Sequence, residues 1–168
     1  GATVRLQALL ETPELPSGLH AAIALEAGYN LRQMRTLAGA LLAADGRSSL
    51  ATAMLAMDAS LSVERLGSQS EPVSTGELLA LHPPRLSGGL VASISFARNA
   101  RVAFEYVART PADLPIVCVA AAHWPSGRTR LAIGGFGTAP RLAMDGPEEG
   151  GWQAAVGNAC AQAEDQWA

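Results

Sequence analysis

The sequence predicts an α+β fold, and three observations predict it. Apolar residues recur at helical spacing in some stretches (Leu50, Ala53, Met54, Met57) and alternate in others (Val102, Phe104, Tyr106, Ala108). Hydrophobic residues are 49% of the 168 and charged residues 16%, a balance that builds a core rather than a disordered chain. The second half reads as hairpin-linked strands closed by a helix, after a mixed first half.

Taken in order, Thr3 to Leu9 alternates as a strand, with helix from Ala8 as the alternative. Pro13 and Pro16 mark a turn. Ser17 caps a helix to about Ala27, with Leu19, Ile23 and Ala27 on one face and Gly28 as the stop. A small-residue loop, Thr36-Leu37-Ala38-Gly39-Ala40, leads through Asp45-Gly46 to an apolar helix opened by Ser48 or Ser49. Ser60 to Leu66 alternates as a strand, Gly67 to Ser70 turns, and Ser74 or Thr75 caps a helical turn through Leu81. His82-Pro83-Pro84 breaks that turn, and Gly88-Gly89 leads into a strand from Leu90 to Phe96.

Arg101 to Arg109 is a further strand, followed by a turn at Thr110 to Asp113. Ile116 to Trp124 is a near-continuous apolar strand, buried on both faces or nearly so. Pro125-Ser126-Gly127 makes a hairpin, Arg128 to Ile133 returns, and Gly134 to Gly137 ends the strand. A last helix from about Glu148 to Ala163 carries an apolar face of Trp152, Ala155, Val156, Ala159, Cys160 and Ala163. The division falls near Ala97 to Ala100: residues 1–97 form one lobe and 98–168 a second, a three-stranded antiparallel sheet covered by helices.

Composition removes several function classes. Net charge is −3, and there is no basic patch for nucleic acid or anionic lipid. Every cation is Arg, which excludes Schiff-base chemistry and any Lys–phosphate contact. Cys118 and Cys160 have no CxxC partner, so they suggest neither a disulfide scaffold nor an iron–sulfur site, and the chain reads as cytoplasmic. No apolar run reaches transmembrane length, and no signal peptide is evident. The strand-like start at Gly1 suggests further chain upstream.

His20, His82 and His123 are isolated, so no metal site is expected, and His123 reads as an ordinary strand residue near the hairpin. Cys118 reads as a small core hydrophobe. Gly135-Phe136-Gly137 opens a GxGxxG only superficially: its sixth position is Pro140 and no helix follows, so it reads as a tight strand exit. No GxSxG or Cys–His pattern points to a hydrolase. No catalytic residue is assigned. The loop Thr36 to Ala40 remains, beside the helix from Ser48. Small residues let backbone N–H groups approach a ligand, and a helix N-terminus favours anions, so this is a candidate phosphate or cofactor clamp. A tight turn packed on a helix is the alternative.

The run LRQMRTLAGALLAADGRSSLATAMLAMDA (residues 31–59) resembles a pattern of the FAD-binding middle subunit or domain of molybdenum hydroxylases: Ile/Leu-Arg-x-x-x-Thr-Leu-Gly-Gly-Asn, then Asp-Pro-x-Ser-Asp-Leu, then Ala-Leu-Leu-Ala-Leu-Asp-Ala. That family includes the medium subunit of aerobic carbon monoxide dehydrogenase and the flavin domain of xanthine dehydrogenase. TVRLQALLETPEL, SGGLVASISF, RVAFEYVARTPADLPIVCVAAAH and LAIGGFGTAPRLA are similar to family segments in the same order, so the resemblance covers almost the whole chain.

The resemblance implies that residues 1–97 are the second half of a flavin-binding domain, and that 98–168 resemble the C-terminal domain of the flavoprotein. It implies an electron-transferring component with FAD as cofactor, without substrate chemistry of its own, and molybdenum-cofactor and iron–sulfur subunits as partners. Homo-oligomerisation is left open. By resemblance, Thr36, Leu37, Ala38, Gly39 and Ala40, with Ser48 and Ser49, face FAD. The family's preceding lobe, with its first Gly-rich loop, lies outside this sequence. Departures stand at Ala38 and Ala40 for Gly and Asn, Ala43 for a polar residue, Ser49 for Asp, Glu105 for Lys, and in a missing terminal Tyr-Arg. A lost buried hydrogen bond costs about 1 kcal/mol, and ~1.4 kcal/mol is tenfold in affinity, so FAD binding by this chain alone is expected to be weak or absent. The alternative is a cofactor-free interaction module on the same scaffold.

Overall fold

The computed structural model describes residues 1–81, 88–111, 113–147 and 151–161. Helices α1 (Leu6–Leu10), α2 (Ser17–Glu26), α3 (Tyr29–Met34), α4 (Leu37–Leu42) and α5 (Ser49–Ala56) come first. Strands β1 (Ser60–Arg65) and β2 (Glu71–Ser74), helix α6 (Thr75–Leu81) and strand β3 (Gly89–Ser95) follow. Strands β4 (Arg101–Val107), β5 (Val117–His123), β6 (Arg128–Gly134) and β7 (Arg141–Pro147) precede helix α7 (Trp152–Ala161).

Helix α5 is the centre of the molecule. Its sequence SLATAMLA is small or apolar on every side, and every one of its residues is buried. It packs on α2, α4 and α6 and on strands β5, β6 and β7. Full burial of Leu50, Met54 and Leu55 contributes roughly 1.5–3 kcal/mol each relative to exposure. A charge at Leu50 would therefore break the core.

Two antiparallel sheets flank this helix layer, one ordered β2-β1-β3 and the other β4-β5-β6-β7. The second sheet turns Val102, Phe104, Cys118, Ala120, Ala122 and Ala132 inward. They share one apolar cluster with Leu19, Ile23, Met54 and Val63, so the core runs across the expected division near Ala97 to Ala100. Helix α2 reaches β4 because residue 18 is glycine: a Cβ there would collide with the Val102 carbonyl.

The α+β class and the helix-covered antiparallel sheet stand. The second sheet has a fourth strand, β7, whose segment RLAMDGP is half-exposed and lacks clear alternation. Strand β2 was also not expected; Pro72 and its four-residue length hide it. The expected strand from Thr3 to Leu9 is instead helix α1 preceded by one bridge, Arg5 to Thr36. Leu6 N–H donates to the Arg35 carbonyl, and with no further strand alongside among the described residues, the chain coils and buries Leu6. The expected loop from Thr36 to Ala40 is likewise the start of α4. Thr36 caps it by accepting from Gly39 N–H at 3.1 Å, and Leu and Ala around Gly39 are good helix formers.

Helix α2 ends at Glu26 with Ala27 extended, and Gly28 opens α3 rather than closing α2. Arg32 finishes α2 from outside, donating to the carbonyls of Ala24 and Ala27 at 2.9 and 2.6 Å. Ser74 opens α6 in a capping box: its Oγ accepts from Glu77 N–H and the Glu77 carboxylate accepts from Ser74 N–H. Strand β5 buries one face only; Val117, Val119 and Ala121 on the other are half-buried. Helix α7 lies on β7 and β6, yet none of its residues is fully buried and Trp152 is 53% exposed. The expected break at His82 to Pro84, the helix start at Glu148 and Ala163 lie outside the described residues.

Candidate functional site

The candidate cofactor residues fall at the N-termini of α4 and α5, two helices that touch one another. At α4, Leu37 and Ala40 are buried, Thr36 and Ala38 half-buried, and Gly39 exposed. The first turn of any helix has N–H groups without intrahelical partners, and these are what a phosphate would use. Here they are taken. Leu37 N–H donates to the Val4 carbonyl at 2.8 Å and Ala38 N–H to the Ala2 carbonyl at 3.1 Å. Gly39 N–H donates to Thr36 Oγ1, and Ala40 N–H to the Thr36 carbonyl.

At α5 the occupant is an acid of the chain itself. Ser48 is the N-cap; its Oγ accepts from Ala51 N–H at 3.0 Å and donates to Glu26 Oε2 at 2.9 Å. The same Oε2 accepts from Leu50 N–H at 2.9 Å. The one proton of Ser49 Oγ is divided between the Ala22 carbonyl at 2.8 Å and Glu26 Oε2 at 3.1 Å. Burial pushes the Glu26 carboxyl up from its ordinary range. The hydrogen bonds from Leu50, Ser48 and Ser49 and the positive charge of Arg35 oppose that rise.

The structure thus brings Ser48 and Ser49 together with a residue the sequence did not single out. Glu26 is 22 to 24 residues away from its partners, and nothing in the local pattern links them. Glu105 is not brought to this region. It is exposed on β4, on the face opposite the inward Val102 and Phe104 that pack toward the helices. Ala43 is the C-cap of α4. A diphosphate has no free backbone N–H to use among Leu37, Ala38, Gly39, Leu50 and Ala51, and it would meet a carboxylate at α5. In this arrangement these residues do not fit that group.

A second polar cluster lies at the other end of α5. Asp58 pairs with Arg130, whose side chain is 7% exposed, and with Arg128 at 2.9 Å. Arg128 also holds both carboxylate oxygens of Asp145, at 2.7 and 2.8 Å, and stacks over Trp124. That fork holds the Asp145 carboxyl below its usual range. Nearby, Leu55, Leu79, Ala139, Leu142 and Arg130 line an open groove of about 470 Å³. Cys118 is buried with its Sγ 3.5 Å from Thr52 Oγ1, and burial pushes its thiol up. His123 Nδ1 hydrogen-bonds Thr129 Oγ1 at 2.9 Å across the β5–β6 hairpin. Gly135 to Gly137 is the exit of β6 and meets the Asp45-Gly46 linker, where Gly135 N–H donates to the Gly46 carbonyl at 2.6 Å. Among the described residues no group of His, Cys, Asp and Glu could hold a metal ion, and no helix is long and apolar enough to cross a membrane.

No protein-family model and no curated protein matches the sequence. Solved structures do match. Reconstituted CO dehydrogenase from Oligotropha carboxidovorans superposes with a TM-score of 0.77 at 18% identity, over 99% of this chain and 66% of that one. Carbon monoxide dehydrogenase from Hydrogenophaga pseudoflava gives 0.75 at 20% identity, over 98% and 64%. Quinoline 2-oxidoreductase from Pseudomonas putida 86 gives 0.70 at 21% identity, over 86% and 54%. The chain therefore spans less than two thirds of the length of the chains it matches. At these identities the likeness is one of fold, and it is the fold that the sequence resemblance implied: the chain is built like part of a molybdenum hydroxylase chain of the carbon monoxide dehydrogenase and quinoline 2-oxidoreductase type.

Proposed function

We propose that this chain is a flavin-domain-like segment of a molybdenum hydroxylase-type oxidoreductase, and that its own contribution is structural: a scaffold that docks to molybdenum-cofactor and iron–sulfur subunits without itself gripping FAD. One observation carries this reading. The backbone N–H groups of Leu37, Ala38, Gly39 and Ala40 at α4, and of Ser48, Leu50 and Ala51 at α5, are already engaged within the chain. The other reading, an FAD-holding component that passes electrons to an acceptor, is favoured by the fold match over nearly the full chain.

A flavin titration decides between them. The purified chain is expected to be colourless and to leave the fluorescence of added FAD unquenched. Co-expressed with molybdenum and iron–sulfur subunits of such an oxidoreductase, the tagged chain is expected to retain molybdenum and iron, read by metal analysis. Stoichiometric FAD uptake would replace the scaffold reading with the electron-transferring one. A chain that retains neither flavin nor metals would overturn both.

A further inference from the structure

The groove beside the far end of α5 is apolar along its walls and has one unmet hydrogen bond. Leu55, Leu79, Ala139, Pro140 and Leu142 line it, and Leu142 is 40% exposed. At about 470 Å³ it lies in the ~300–1,000 Å³ range of small-molecule sites. A second hollow of about 210 Å³ shares Leu79, Ala80, Thr138 and Ala139 with it and continues to Leu41 and Leu78. Arg130 also lines the groove and is itself buried. Its Nη1 is taken by Asp58, with Asp145 at 3.7 Å, whereas its Nε has no acceptor among the described residues. Buried N–H groups in folded proteins are almost always paired, so this one calls for a partner from outside the chain.

We propose that this groove binds a small neutral ligand with an apolar body and a carbonyl oxygen, and that Arg130 Nε–H donates to that oxygen. Two observations set the class. The leucine, alanine and proline walls favour a hydrocarbon or aromatic body. Asp58 and Asp145 already match the charge of Arg130, so its Nε lacks a lone pair rather than an anion. A ligand carboxylate would stand close to those two acids and be repelled by them. Arg141 also lines the groove, but it is exposed, where solvent screens its charge, and it lies over the Phe136 ring. Nε is covered by the protein, so the ligand oxygen reaches it through a small outward turn of the Arg130 side chain, which breaks no bond of Nε. The groove is distinct from the N-termini of α4 and α5, and the inference does not rest on the scaffold reading.

Three probes of similar size test it: benzamide, benzoate and toluene, each titrated into the purified chain and followed by NMR at the Arg130 Nε–H signal. Benzamide is expected to shift that signal saturably and to bind roughly tenfold more tightly than toluene, the gain from one hydrogen bond to a charged donor. Benzoate is expected to bind more weakly than benzamide. Arg130→Lys keeps a cation for Asp58 but has no Nε, and is expected to bring benzamide down to the level of toluene. Leu142→Gln, at an exposed part of the wall, is expected to weaken benzamide and toluene alike. Benzoate binding as tightly as benzamide or tighter, benzamide binding no better than toluene, or an Nε–H signal that stays still while benzamide binds overturns the proposal. So does full benzamide binding by either variant. If Arg130→Lys does not fold, the wild-type titrations and Leu142→Gln still decide. None of these readouts depends on flavin uptake or on molybdenum or iron retention, so failure here and failure of the scaffold reading are separate results.

Discussion

Asp58 pairs with Arg130 at the point where the chain leaves α5, and it does so from a left-handed backbone conformation, φ +53°. Arg130 is buried, and its Nε has no hydrogen-bond partner among the described residues, so Asp58 and the more distant Asp145 carry the neutralisation of its charge. Removing Asp58 leaves a buried guanidinium short of an anion. Breaking a buried pair this way costs up to 3–5 kcal/mol, and solvent at the 37%-exposed Asp58 side chain reduces that to about 1–3 kcal/mol. Asn tolerates the same backbone angles, so Asp58→Asn is expected to lose the charge term alone. Asp58→Ala is expected to lose roughly 1 kcal/mol more through backbone strain. Denaturant melts of the two variants separate the terms.

Gly46 belongs to the linker into α5, and its carbonyl receives Gly135 N–H. A Cβ at residue 46 would run into the carbonyl oxygens of Phe136 and Gly137, which are backbone and cannot swing away. Gly46→Ala is therefore expected to cost about 1–3 kcal/mol by overpacking. At Gly39 an added Cβ meets only Thr36 Oγ1, at 3.0 Å, and gains helix propensity. Gly39→Ala is expected to stay within about 1 kcal/mol of the wild type. Equal losses at the two positions, measured by chemical denaturation, would contradict the tight approach at Gly46.

The two helix caps differ in what depends on them. Thr36 caps a short helix and has one side-chain bond, to Gly39 N–H. Thr36→Ala is expected to cost about 0.5–1 kcal/mol, and Thr36→Ser to restore it. Ser48 is buried, caps α5 and donates to Glu26. Ser48→Ala is expected to cost about 2 kcal/mol, since it leaves Ala51 N–H and Glu26 each short of a partner. Thermal melts should rank the two losses in that order.

Stability should depend on pH through two carboxyls with opposite signs. Burial raises Glu26 above its ordinary 4.5, so the stability linked to it is present below 4.5 and is lost as pH rises through its folded value. The Arg128 fork lowers Asp145 below its ordinary 3.8, so its contribution is present above 3.8 and is lost as pH falls through its folded value. Relative to Glu26→Gln, the wild type is expected to lose stability as pH rises from 4.5. Relative to Asp145→Asn, it is expected to lose its advantage as pH falls below 3.8. Parallel stability–pH curves for wild type and variant would refute either assignment.

Much of the fold was legible because its signals are local. The heptad-like spacing of Leu50, Met54 and Met57, the Ser48 cap, the Gly127 hairpin with its φ of +86°, and the alternation of Val102 and Phe104 each depend on a few neighbouring residues. Strands β2 and β7 were not legible, since pairing to β1 and β6 rather than their own pattern holds them extended. Thr36 to Ala40 was misread for a similar reason: small residues suit a loop or a helix, and the neighbouring Val4 and Ala2 carbonyls help fix the helix.

The sequence by itself determined the α+β class, the central apolar helix, and the identity of the serines at its start, because periodicity and capping act over one or two turns. Only the tertiary structure decided what those serines face. Glu26 reaches Ser48, Ser49 and Leu50 because α2 and α5 pack together, and the Arg130–Asp58 pair exists because β6 crosses the far end of α5. Contacts between residues 22 and 72 positions apart are set by how elements stack, and no local pattern encodes them.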